Sequence, residues 1–225
     1  MKNVINKIYH NQFFSWLFPT TVYCLRKSLR DCESVLDLGC GPSSPLQYCE
    51  NIKYSVGVEI FRPYLGESKK RKIHNEYIEK KIEEIEFPEK SFDAVIMIEV
   101  LEHLSQDAGY SMLKKAEKWA RKKIIVSTPN GFLPQGERDE NLFQRHISGW
   151  RLGAMGNMGY VCWGLAGFRW LHKENLLKKG AADDSFLDSI RLRPKLFWFL
   201  VATLSQFLTY RFHRYAFELF CVKRL

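Results

Sequence analysis

The segment Val35–Ser44, VLDLGCGPSS, carries the clearest chemistry in the chain. An apolar run ends at Asp37-Leu38 and meets Gly39-Cys40-Gly41. Glycines at such a turn let the backbone fold back tightly and approach a ligand closely. Glu59 ends the next apolar run, 18 residues after Gly41. A carboxylate there can accept hydrogen bonds from both hydroxyls of a ribose, so the pair asks for a nucleoside-bearing cofactor. Two departures argue against a dinucleotide. Ser44 stands where GxGxxG needs a third glycine, and Pro42 removes a backbone N–H that a pyrophosphate would use. A cofactor without phosphates suffers from neither.

Two histidines are the other candidates. His103 has a side chain that titrates near neutral pH, so it suits a general base or a substrate contact; the alternative is that it orders its own loop. His146, beside Arg145, either meets an anionic or hydroxylated acceptor or fixes the loop onto the next helix. Glu99 and His103 stand at i, i+4, but the sequence shows no third ligand beside them, so no metal site is expected.

These residues need a scaffold of alternating strands and helices. SVLDL (Ser34–Leu38), YSVGVE (Tyr54–Glu59) and FDAVIMI (Phe92–Ile98) read as buried strands, with a shorter one at Tyr77–Lys81 and another at Lys122–Thr128. Helices are expected over roughly Ser43–Cys49, Pro63–Asn75 and Ser105–Arg121. Residues 1–33 read as an N-terminal helical segment, broken at Phe18-Pro19, with Thr20 or Thr21 able to cap a second helix. Strands alternating with helices imply βαβ units and a parallel sheet. Past Pro129 the alternation weakens. A polar loop over 129–150 is followed by a strand at Tyr160–Leu165 and a final one, Ala216–Lys223, that alternates like an edge strand.

Composition sets the outer bounds. With 225 residues and 46% hydrophobic side chains, the chain is long and apolar enough for one well-packed domain. The formal net charge is +9, which attracts anionic partners without choosing among nucleic acid, lipid and small anions. From Arg191 to Leu225 there are seven Lys/Arg and one Glu, so +6 of that excess sits in a basic, greasy tail. The six cysteines form no CxxC pair, which argues for reduced thiols in a cytoplasmic setting. No signal peptide is read at Met1–Tyr9.

Taken in order, VLDLGCG, GVE, FPEKSFDAVIMIEVLEHL and IIVSTPNG resemble the class I S-adenosylmethionine-dependent methyltransferases, over Ser34 to Gly131. The LEHL segment is similar to that of a common subgroup. The resemblance implies a Rossmann-like, seven-stranded, mostly parallel sheet with helices on both faces and an antiparallel C-terminal hairpin, over 34–225. It implies S-adenosyl-L-methionine as cofactor. Asp37, Gly39, Cys40 and Gly41 would surround the methionine part, Glu59 would hold the ribose, and Ile60 would pack on the adenine. Ile82 would add a backbone N–H and an apolar wall, and Glu99 would lie near the cofactor's edge. Where relatives often place an Asp near the adenine, this chain has Lys81. Catalytic candidates are His103 and His146. Methyl transfer depends chiefly on alignment, and a base matters only when the acceptor must lose a proton.

The expected acceptor is a small-molecule or lipid- or glycan-linked hydroxyl or carboxyl, shaped by the 129–150 loop. The alternatives are an RNA or DNA methyltransferase, disfavoured because no NPPY-like motif follows the fourth strand, and a non-catalytic scaffold. The apolar and basic insertion at about 187–214 contains Leu196–Tyr210, fifteen uncharged residues. At about 1.5 Å per residue a helix of that length is too short to cross the ~30 Å hydrocarbon layer. It is expected to lie on a membrane surface, pack in the core, or join two copies in a homodimer.

Overall fold

The computed structural model describes residues 18–137, 140–172 and 189–225. Residues 1–17 of the expected N-terminal helical segment and 187–188 of the insertion lie outside these. The first described helix, α1 (Thr21–Ser28), begins where Thr20 Oγ1 accepts the Tyr23 N–H at 3.2 Å. Strand β1 (Ser34–Leu38) follows, then β2 (Tyr54–Val58), helix α2 (Arg62–Arg71), the three-residue β3 (Glu76–Ile78) and β4 (Phe92–Ile98). Helix α3 (Gln106–Trp119) is capped by Ser105 and leads into β5 (Ala120–Pro129). The chain closes with the short α4 (Leu152–Asn157), β6 (Val161–Phe168), α5 (Lys195–Thr209) and β7 (Ala216–Arg224).

The seven strands form one sheet in the order β3-β2-β1-β4-β5-β7-β6. The first five run parallel and β7 runs antiparallel to both its neighbours. The strand order reverses between β1 and β4, and in such sheets a ligand binds beyond the carboxyl ends of the strands at that point. One face of the sheet packs on α3 through Met112, Leu113, Ala116 and Trp119, and the other on α1 through Cys24, Leu25 and Leu29. All six cysteines are buried and unpaired.

Two expectations need correction. The stretch expected as a helix over Ser43–Cys49 is a single 3-10 turn, Pro45–Tyr48. Asn51 ends it by donating from Nδ2 to the carbonyls of Leu29 and Cys32, both at 2.7 Å, which draws the chain back under α1. The segment that follows the glycine loop is therefore no long helix, in keeping with a cofactor that lacks phosphates. The final strand is not an edge. β7 lies between β5 and β6, and its centre, Leu219–Val222, is buried on both faces. The edge on that side is β6, which packs against α5.

Candidate active site

The glycine loop sits at the carboxyl end of β1. Gly39 and Gly41 both take left-handed backbone conformations, φ +67° and +56°. At Gly39 a Cβ would also lie 2.7 Å from Val100 Cγ2, so the position admits no side chain. The Cys40 N–H donates to the Val58 carbonyl at 3.0 Å and ties the loop to β2. Glu59, at the end of β2, accepts the Gly41 N–H on Oε2 at 3.1 Å and the Phe61 N–H on Oε1 at 2.7 Å. These bonds fix the carboxylate and leave each oxygen a second lone pair, as a ribose-binding acid requires. Ile60 follows on the chain, and Ile82 lies in the 3-10 turn Ile82–Glu84 after β3. The cradle therefore fits a nucleoside.

Asp37 is buried in the middle of this cradle. Its Oδ2 accepts the Ser44 hydroxyl at 2.5 Å, and His74 Nε2 stands 3.4 Å from the same oxygen. That last distance is an ion-pair contact and too long for a good hydrogen bond, so Nε2 is a buried atom without a bonded partner. Burial lifts the Asp37 pKa to about 7 and drops that of His74 to about 4. Near neutral pH the pair is an uncharged histidine beside a carboxyl poised to ionise, so it is no salt bridge.

Beyond β4, β5 and β7 lies a second constellation. Ser127 Oγ is 2.6 Å from both Glu99 Oε1 and Glu218 Oε1. One hydroxyl carries one hydrogen, so the two contacts demand a proton on at least one carboxyl. Thr128 Oγ1 donates to Glu102 Oε2 at 3.0 Å, while Glu102 Oε1 is buried without a partner. Burial raises Glu102 to about 7 and Glu218 to about 8, the latter also through the Glu99 charge. Glu99 is raised well above 4.5 by burial and then by Glu102. Its carboxylate is enclosed, yet the residue as a whole is exposed, because a pocket of about 260 Å³ opens onto it.

That pocket is also lined by Glu102, His103, His146 and Glu218. His103 Nδ1 lies 3.2 Å from the Arg145 carbonyl and His146 Nδ1 2.6 Å from the Leu133 carbonyl. A carbonyl only accepts, so in each ring Nδ1 carries the hydrogen and Nε2 holds the lone pair when the ring is neutral. Histidines that bind metals are held in this way. Glu102, His103 and His146 each offer one ligand atom, and the three lie within 4.8 Å of one another. The spacing of Glu99 and His103 supplies no third ligand in the sequence. The fold instead brings Glu102 and His146 to His103, three residues able to hold a divalent cation.

The 129–150 loop is fixed by its ends. The Glu102 carbonyl accepts the N–H groups of Ile147 and Ser148 at 2.8 and 3.1 Å. Trp150 is fully buried, edge-on to Tyr110, with its Nε1 donating to Ser148 Oγ at 3.1 Å. It is a packing anchor at the end of the loop.

Of the residues singled out from the sequence, Asp37, Gly39, Cys40, Gly41, Glu59 and Ile60 lie at the carboxyl ends of β1 and β2, and Ile82 lies buried in the turn after β3. Glu99 falls with His103 and His146 in the pocket. Sequence reasoning missed Glu102, Ser127, Glu218 and His74. The signal for two of them was an acid in an otherwise apolar run, Glu102 in EVLEHL and Glu218 in AFELF. A larger hollow, about 800 Å³, lies by Lys27, Arg121 and Arg224 at the opposite, amino end of β1 and β4 and away from these groups.

Residues 36–125 match a family model described as a methyltransferase domain. No curated protein matches the chain. Among solved structures, a SAM-dependent methyltransferase from Archaeoglobus fulgidus is similar at 18% identity, covering 95% of this chain and 98% of that one, with a TM-score of 0.53. The methyltransferase domain of a bacterial Hen1, CtHen1-CN, is similar at 19% identity over 91% of this chain and 97% of that one, TM-score 0.50. The small RNA methyltransferase HEN1 matches at 15% identity and TM-score 0.55, with 89% of this chain on 25% of that one. Residues 36–125 thus match a methyltransferase domain, within a seven-stranded fold shared with the Archaeoglobus fulgidus SAM-dependent methyltransferase.

Proposed function

We propose that the chain methylates a hydroxyl oxygen of a small-molecule or lipid- or glycan-linked acceptor, with a divalent cation beside the acceptor. The observation that carries this reading is the set Glu102, His103 and His146, three ligand atoms within 4.8 Å on the wall of the pocket. Asp37, Gly39, Cys40, Gly41, Glu59, Ile60 and Ile82 hold the cofactor. The bound cofactor supplies a methyl group on a sulfonium, already an electrophile. The protein's task is to align the acceptor oxygen and remove its proton. Glu102, His103 and His146 would hold the cation, which would lower the hydroxyl's pKa as a bound divalent ion does for water. The proton passes to a carboxylate of the pocket, with Glu99, whose pKa burial raises, the candidate base. With the cofactor bound, the oxygen–carbon bond would form as the carbon–sulfur bond breaks.

An RNA hydroxyl is the alternative acceptor, favoured by the net charge of +9. Methyl transfer from labelled cofactor tests both readings, with hydroxylated lipids and glycans in one arm and RNA in the other. Transfer to the former that stops on chelation supports the proposal. Transfer only to RNA, falling steeply with salt, selects the alternative. Transfer that survives chelation unchanged removes the cation from the mechanism.

A further inference from the structure

Helix α5 turns its polar side inward. Ala202, Ser205, Gln206 and Thr209 are its buried residues. The helix lies so close on β6 that a Cβ at Gly167 would sit 2.2 Å from the Ala202 carbonyl oxygen, and one at Gly164 2.3 Å from that of Thr209. Only small side chains fit in that seam. Ser205 Oγ accepts the Phe168 N–H at 3.1 Å, and Gln206 Nε2 donates to the Pro19 carbonyl. The outward residues are therefore the large apolar ones. Leu196, Phe197, Leu200, Leu204, Phe207 and Leu208 are 48–62% exposed. At about 100° per residue they fall in one stripe roughly 120° wide. Phe212 and Tyr215 continue the exposed surface past the helix end.

Both ends of the stripe are basic. Arg191 and Arg193 are exposed before it, Arg211 and Arg214 after it, and no Asp or Glu occurs from Arg191 to Tyr215. We propose that this face docks in the plane of an anionic lipid bilayer, with the leucines and phenylalanines at the acyl boundary and the arginines on headgroup phosphates. An interfacial helix has this combination of apolar face and flanking cations. A second copy of the chain fits less well. A two-fold contact through α5 sets the arginines at one end against the partner's arginines whichever way the helices run. No helix among the described residues is long and apolar enough to cross a membrane.

The surface is joined to the pocket. Ser189 lines the pocket wall and Arg191 follows two residues later. Docking through α5 thus brings the pocket near the lipid surface, where a lipid-linked acceptor would be presented. That last step rests on the proposed function; the docking itself does not.

The test is flotation of the full chain with vesicles of phosphatidylcholine alone and of phosphatidylcholine with phosphatidylglycerol. The wild type is expected to float with the anionic vesicles and to be released by salt. Leu204→Glu with Phe207→Glu, and separately Gln at all four arginines, should each lower partitioning at least about tenfold. Both variants should keep wild-type melting and S-adenosylhomocysteine binding, so a failure of docking is separable from a failure of the cofactor site. The proposal is overturned by a wild type that floats with neither vesicle, by a Leu204→Glu/Phe207→Glu variant that floats as well as the wild type, or by a wild-type dimer that this variant converts to monomer.

Discussion

The His103 and His146 rings meet edge to face, with centroids 4.8 Å apart and planes at 66°. His103 follows β4 and His146 closes the loop after β5, so their contact reports how that loop is seated. Each ring is fixed by a backbone carbonyl at Nδ1, which presents Nε2 as the basic nitrogen. Around them three carboxylates, Glu99, Glu102 and Glu218, have raised pKa values because burial disfavours their charged forms. A cation in the pocket would turn that cost into attraction.

Glu59→Ala removes the acid that is aimed by Gly41 and Phe61. Each bond lost to a charged acceptor is worth about 1.5–3 kcal/mol. Calorimetry should show S-adenosylhomocysteine binding weakened at least about tenfold. Unchanged affinity would mean that the ribose lies elsewhere.

Gly39→Ala places a Cβ against Val100 Cγ2 at a positive φ. Strain of this kind costs on the order of 1–3 kcal/mol. The variant should melt lower and lose most of its cofactor affinity, whereas Gly66→Ala, on the open side of α2 with nothing within 4 Å, should do neither.

The buried carboxyls make stability depend on pH. Glu102 and Glu218 rise from an ordinary 4.5 to about 7 and about 8 on folding. Between those limits the folded state holds more protons than the unfolded chain, so stability falls as pH rises from about 4.5 through about 8. A melting series at fixed ionic strength should show that fall, and Glu218→Gln should flatten its upper part. Added manganese should raise the melting temperature more at pH 8 than at pH 5. A wild-type curve that rises through the whole range would contradict these protonation states.

Trp150→Ala removes a fully buried ring and should cost about 3–5 kcal/mol of stability. Trp150→Phe should restore most of the packing but not the bond to Ser148. If Trp150 holds the loop, cation affinity should fall in the alanine variant while cofactor affinity, set on β1 and β2, holds.

Much of this was legible in the sequence because it is local. Val35–Leu38 and Phe92–Ile98 are continuous apolar runs, and a strand that is buried on both faces needs no more than that. Asp37, Gly39, Gly41 and Glu59 stand at strand ends, so finding the strands finds the cradle. The pocket was less legible because it is assembled from afar. Glu102 and His146 meet only once the loop returns over β4, and Glu218 reaches them only because β7 inserts between β5 and β6. That insertion also explains the misread edge. Alternation at the ends of Ala216–Arg224 suggested one covered face, while its middle is covered on both. The 3-10 turn at Pro45–Tyr48 depends on Asn51 reaching back to Leu29 and Cys32, a tertiary contact that no local pattern announces.

Whether a cation site adjoins the cofactor site is tested most directly by manganese binding followed by electron paramagnetic resonance. The full chain, saturated with S-adenosylhomocysteine, is titrated with manganese while the free-ion signal is read. One ion should be taken up per chain, and that uptake should be lost in Glu102→Gln and His146→Ala while S-adenosylhomocysteine still binds. A free-ion signal that rises in full from the first addition, with S-adenosylhomocysteine bound, would show Glu102, His103 and His146 to be a hydrogen-bonded network only.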